Sequence, residues 1–326
     1  MKSSAIASSQ FAEINTAYNQ TFQPNKLSLG LVVPIESYPS SAVPDMNQHI
    51  ERVQLAEELG FSAIWLRDVP FNVPSFGDAG QIYDPFVYLG LLAGKTQSIS
   101  LGVASIVLPL RHPAHVAKAA STVDVLSEGR LLLGVASGDR PEEYPALNLP
   151  FHSRGERFRE SFEYIQQMAN AQARIENSYG QLNGDIDMLP KPSASKLPMF
   201  ITGASQQSPE WIAQHGDGWI TYPRNIGTQA SILNQWRSNL ATFNQPNKPA
   251  IQSLYIDLVE DDEAMPQPIH LGFRSGIKHL LSYLKSLEEI GINHVALNLR
   301  FNQANIQHTL EKLAQEIFPH FDFGEK

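Results

Sequence analysis

The chain has 326 residues, no cysteine, and a formal net charge of -9 from 24 Lys and Arg against 33 Asp and Glu. That balance, with no basic cluster, speaks against a nucleic-acid partner, and the missing cysteines exclude a disulfide framework, a thiolate nucleophile and a cysteine metal site. No apolar run nears a membrane span and no apolar stretch follows Lys2, so a cytoplasmic globular protein with one large core is expected.

After an N-terminal arm over 1–25, the segments alternate. "KLSLGLVVP" (26–34) reads as a buried strand stopped by Pro34. "MNQHIERVQLAEELG" (46–60) puts Met46, Ile50, Val53 and Ala56 on one helical stripe with Gly60 at the C-cap. "FSAIWL" (61–66) is a second strand. "DPFVYLGLLAGKT" (84–96) reads as a helix with Asp84 at its N-cap and Pro85 at its first position. The third strand is 98–109, followed by a helix over 112–129, a fourth strand "RLLLGVA" (130–136) and a long helix over 153–171.

The rhythm pauses at 172–197, where "NSYGQLNGD" and "LPKPSASKLP" predict an excursion of turns and short strands. It resumes with strand 198–203, a helix over 208–216 opened by Ser208 and Pro209, strand 217–223 and a helix near 227–243. Strand 250–260, helix 275–291, strand 292–300 and a last helix over 304–317 complete the chain. About eight strand–helix units predict a parallel sheet, and eight favour a closed (β/α)8 TIM barrel over 26–326. The competing open sheet would announce a nucleotide with G-x-G-x-x-G, which is absent.

In such barrels chemistry sits on loops at the C-terminal strand ends. In "TGASQQSPEW" (202–211), Gly203, Ala204, Ser205 and Ser208 lie between a strand and a helix start. Free amides, the helix dipole and hydroxyls there suit an anion such as a phosphate, although an ordinary serine cap explains the same residues. "SGDR" (137–140) offers Ser137 and Gly138 for close ligand approach. Arg154 opens a helix, where the dipole disfavours a cation unless it meets an anion. Asp68 follows the second strand and either orients a substrate, moves a proton, or caps a turn. His112 reads better as a structural turn residue than as a base. No histidine pair has metal spacing, so no metal site is expected. "SASK" (193–196) lacks the companions of a serine acyl-transfer motif, and "GVASG" (134–138) misplaces its serine for a nucleophile elbow. "EEYP" (142–145) and "VEDDEA" (259–264) read as solvated acidic turns.

The block "LGVASIVLPLRHPAHVAKAASTVDVLSEGRLLLGVASGDRPEEYPALNLPFHSRGERFRE", with "MFITGASQQSPEWIAQHGDGW" downstream, resembles the bacterial luciferase-like flavin monooxygenase family. The resemblance covers about 26–320 and implies an eight-stranded α/β barrel using reduced FMN, or in some branches a deazaflavin. It implies a non-proline cis peptide at Ala104–Ser105 beside the flavin ring, Ser137 and Gly138 near the ring, and Arg154, Ala204, Ser205 and Ser208 at the phosphate. Light-emitting members carry a catalytic histidine where Asp68 stands, which points away from luminescence, and an arginine at Ser137, which leaves fewer charges here for the phosphate. The implied activity is an FMN-dependent monooxygenase acting with O2 on a small organic substrate, with reduced flavin supplied by a separate flavin reductase, in a chain that forms a homodimer. The alternatives are a deazaflavin-dependent hydride-transfer enzyme and a non-catalytic flavin-binding subunit. Position and turn content suggest 172–197 as part of a lid.

Overall fold

The structure, a computed structural model, describes residues 10–321; positions 1–9 of the expected arm and 322–326 lie outside them. The elements in chain order begin with α1 (Thr16–Thr21), β1 (Ser28–Val32), α2 (His49–Leu59), β2 (Ala63–Leu66), α3 (Pro85–Ala93) and β3 (Ser100–Val107). These are followed by α4 (Pro113–Leu126), β4 (Leu131–Ala136), α5 (Glu143–Ala146), α6 (Arg154–Gln167), β5 (Arg174–Asn177) and β6 (Gly180–Asn183). Next come β7 (Met199–Thr202), α7 (Pro209–His215), β8 (Gly218–Thr221), α8 (Ile226–Thr242) and β9 (Ala250–Leu258). The chain finishes with β10 (Gln267–Ile269), β11 (Gly272–Ser275), α9 (Ile277–Glu289), β12 (His294–Asn298) and α10 (Ile306–Glu316).

Eight strands pair in parallel in the order β1-β2-β3-β4-β7-β8-β9-β12, and β12 closes on β1. This is the closed barrel expected from the rhythm. Side chains alternate along each strand, as the pleat requires. Leu29, Leu31, Ile64 and Leu133 pack outward against the helices, while Val32, Trp65, Leu132 and Phe200 fill the interior. Among the described residues no helix is long and apolar enough to cross a membrane.

Two glycines make room for a pair of large interior rings, Trp65 and His294. A Cβ on Gly102 would stand 2.4 Å from the Trp65 ring, and one on Gly30 would stand 2.7 Å from His294 Nε2. The Trp65 indole N–H donates to His294 Nε2 at 2.9 Å. Nδ1 must then carry the imidazole proton and donate to Ser28 Oγ at 2.6 Å, and that hydroxyl donates to the Thr21 carbonyl at 2.7 Å. Burial pushes the His294 pKa down to about 3, so the ring is neutral. Helix α1 stops the lower end of the barrel with Tyr18 and Phe22 packed on Phe200.

Local signals set most element ends. The Asp84 carboxylate accepts from the Phe86 and Val87 amides, Ser208 Oγ accepts from the Trp211 amide, and Gly60 ends α2 at φ 95°. Two expectations are corrected. Met46 is buried but precedes α2, because Met46 and Gln48 have φ near 60°, outside any right-handed helix. The segment before α9 also holds an unforeseen hairpin. Strand β11 pairs in parallel with the outer half of β9, Tyr255–Leu258, and antiparallel with β10.

Candidate active site at the barrel mouth

A cavity of about 730 Å³ opens at the C-terminal strand ends. Trp65, Ala104 and Ser105 line its deep side, and Tyr255, His270 and Phe301 line another wall. The Ala104–Ser105 peptide bond is cis, as the resemblance implied. Ser105 Oγ bonds the Thr202 hydroxyl, joining the ends of β3 and β7.

Charged groups ring this space in three clusters. Asp68 is buried, and its Oδ2 accepts from the Val107 amide and from Arg111 Nε, each at 3.1 Å. Its Oδ1 accepts from Arg111 Nη2 at 2.8 Å, and the same Nη2 reaches Asp84 at 2.9 Å. One forked guanidinium thus ties the ends of β2 and β3 to the start of α3. The second cluster centres on Asp78, paired with Arg67 at 2.8 Å and Arg300 at 3.0 Å. Burial pushes the Asp78 pKa up, but the Arg67 guanidinium and the Gly80 amide outweigh it and hold the carboxyl below its usual range. Arg300 also donates to the Ser41 and Gly77 carbonyls, so this cluster fastens two mouth loops to β12.

The third cluster corrects the sequence reading of "EEYP". Glu143 is no solvated turn residue: it is 2 % exposed and lines the cavity. Its nearest cation is Arg140 Nη1 at 3.7 Å, and Oε1 has no hydrogen-bond partner. Burial, with the Asp68 charge adding, raises the Glu143 pKa against the pull of Arg140 and the Phe71 amide. Arg140 lies with its guanidinium carbon 4.0 Å from the Phe76 ring centroid.

Beside the cavity, the expected phosphate residues occupy two touching segments. Gly203 (φ 57°) holds its carbonyl on the Trp219 indole N–H at 2.8 Å and faces Tyr222, which lines the cavity. Ser205 is buried and its hydroxyl donates to the Thr202 carbonyl at 2.7 Å, whereas Ala204 and Ser208 are exposed. Gln207 bridges to the start of α6, donating to the Gly155 carbonyl and accepting from Arg159. Arg154 opens α6 with one Nη on the Phe151 carbonyl at 3.1 Å and its face 3.8 Å from the Phe151 ring centroid. Its Nε is buried without a partner, as is that of Arg157. Nearby, the Tyr144 hydroxyl donates to the Ser137 carbonyl. A Cβ on Gly138 (φ 77°) would come within 2.7 Å of Val107 and 2.9 Å of the Tyr144 oxygen. Ser137 is buried and does not line the mouth cavity.

The structural reading of His112 holds, and one further expectation changes. His112 Nδ1 accepts from the Ala114 amide and its Nε2 meets the Tyr179 carbonyl at 3.1 Å, so it is a helix cap with both nitrogens engaged. The hairpin β5–β6 and its flanks pack outside the barrel, with Ser178 on Glu160 and Ser193 on Asp124. No residue of 172–197 lines the mouth, where a lid would have to close; the 69–78 loop and the β10–β11 hairpin border it instead. Sequence reasoning missed Arg140, Glu143, Asp78 and His270 at this site, because no local pattern announces their burial.

The sequence profile described as luciferase-like monooxygenase matches residues 27–297. Among curated relatives, the F420-dependent hydroxymycolic acid dehydrogenase of Mycobacterium tuberculosis is 28% identical over 75% of this chain and 66% of its own length. The oxygenase component of the flavin-dependent trigonelline monooxygenase of Acinetobacter baylyi is 26% identical over 67% of this chain and 60% of its own. The chain thus spans less than two thirds of either relative, 66% of the first and 60% of the second. A crystal structure of a monooxygenase from Streptomyces bottropensis superimposes with a TM-score of 0.75 at 18% identity, over 90% of this chain and 99% of that one, a likeness of fold.

Proposed function

This chain belongs to the luciferase-like monooxygenase family of oxidoreductases, and on that premise we propose that it is an FMN-dependent monooxygenase acting with O2 on a small organic substrate at the barrel mouth. The observation that carries the reading is the mouth cavity, backed by the small residues Ala104 and Ser105 and bordered by Tyr222, beyond which unpaired cationic N–H groups gather at the start of α6. An orphaned guanidinium N–H beside a serine- and glycine-bearing loop fits a phosphate tail.

In this reading Arg154, the amides of Ala204 and Ser205, and the Ser208 hydroxyl hold the phosphate, while Gly203, whose amide donates to the Ile220 carbonyl at 2.8 Å, turns the loop towards it. Ala104 and Ser105 present a flat wall to the isoalloxazine ring, and Gly138 leaves room behind Val107. The activation of O2 belongs to the reduced flavin when bound; the chain contributes binding, orientation and exclusion of water. Asp68 serves as a positioning residue, since both its oxygens are engaged by Arg111 and the Val107 amide. A separate reductase supplies the reduced flavin, a step supported by the relative named as an oxygenase component.

A second reading, hydride transfer with deazaflavin F420, draws support from the mycobacterial dehydrogenase. Titration with reduced FMN and with F420 separates the two, followed by oxygen uptake over a substrate panel against free flavin. Binding of F420 alone would reverse the assignment. FMN binding without faster, substrate-dependent oxygen uptake would leave a flavin-binding subunit.

A further inference from the structure

The arginines that line the mouth cavity are not equivalent. Arg67 donates to Asp78 and to the Tyr38 hydroxyl, and Arg300 to Asp78 and two carbonyls. Arg140 lines the same cavity and is 8 % exposed; its Nε is buried without a partner, and its side chain makes no hydrogen bond among the described residues. Its one ion-pair partner among the described residues, Glu143, stands at 3.7 Å, beyond hydrogen-bond reach. A buried guanidinium with a free fork is costly unless a ligand completes it.

We propose that Arg140 is the substrate anchor of the mouth and that its ligands are small organic carboxylates with a flat apolar body. The proposal deepens the monooxygenase reading and rests on the mouth being the active site. The free fork matches the two oxygens of a carboxylate, and Phe76 beneath the guanidinium holds it in plane. Glu143 does not fill the fork: its Oε1 stands 3.7 Å from Arg140 Nη1 without a hydrogen bond, and burial raises its pKa against the pull of Arg140. Tyr255, His270 and Phe301 line the same cavity and offer ring surfaces for the body of the ligand.

The test uses the full chain with benzoate and its neutral isostere benzamide as probes, each titrated by calorimetry. Benzoate is expected to bind at least about tenfold more tightly than benzamide. Arg140→Gln should weaken benzoate by about tenfold or more while leaving benzamide and FMN unchanged, and Arg140→Lys should fall between. Equal affinities for the two probes, no binding of either at millimolar concentration, or unchanged benzoate binding in Arg140→Gln would overturn the proposal. So would a selective loss of FMN over riboflavin, because Arg140 would then serve the flavin phosphate. Arg140-dependent benzoate binding in a protein that takes up neither FMN nor F420 would uphold the anchor and sink the flavin reading.

Discussion

Acidification from neutral to about pH 5 should remove roughly 2 kcal/mol of folding stability through one buried imidazole, His294. In the folded chain both its nitrogens are engaged, by the Trp65 indole and Ser28, and burial lowers its pKa from 6.5 to about 3. The unfolded chain takes up the proton near pH 6.5 and the folded chain does not. Stability is therefore fully present above the unfolded value and declines as pH falls towards the folded one. At pH 5 the gap is about 1.5 pH units, which at 1.36 kcal/mol per unit gives the stated loss. Glu143, whose folded pKa is raised, shifts stability the opposite way, so a difference between variants is the cleaner measure. Urea unfolding of the wild type and of His294→Gln, read by tryptophan fluorescence at both pH values, provides it. The glutamine can accept from Trp65 and donate to Ser28 without titrating. Equal losses in the two proteins would refute the argument.

Three other outcomes are expected. Arg154→Ala should weaken FMN binding by about tenfold or more and leave riboflavin, which lacks the phosphate, nearly unchanged in a fluorescence titration. Gly102→Ala drives a methyl into the Trp65 ring and should cost about 1–3 kcal/mol in urea unfolding. Asp68→Asn leaves Arg111 half-paired, so KM or flavin affinity should worsen while the pH dependence of turnover keeps its shape; a lost acidic limb would restore Asp68 as a proton carrier.

The barrel was legible because its signals are local. Asp84, Ser208 and Gly60 each mark a helix end within three residues, and apolar runs mark the staves. The short strands β10 and β11 carry three and four residues, too few for a period to emerge, and exist because the outer half of β9 offers them a ladder. Met46 fitted a helical stripe by spacing alone, yet backbone turns at 46 and 48 delay the helix. At the site, the Ala104–Ser105 bond entered through resemblance, not through composition. Glu143 looked solvated because its cover, the loop near Phe71 and Phe76, lies about 70 positions away in sequence. Likewise the Asp68–Arg111 fork joins residues 43 apart, and nothing in either stretch names the other.

A closed barrel has no unpaired rim of backbone donors, yet β9 overshoots its neighbours and exposes one. Strand β11 takes that rim, which merely moves the open ladder outward to β10. There the run ends after three residues, with Pro268, which lacks an N–H, at its centre. A neighbouring molecule therefore finds no continuous template to extend, and the overhang can frame the entrance without inviting copies of the chain to polymerise through it.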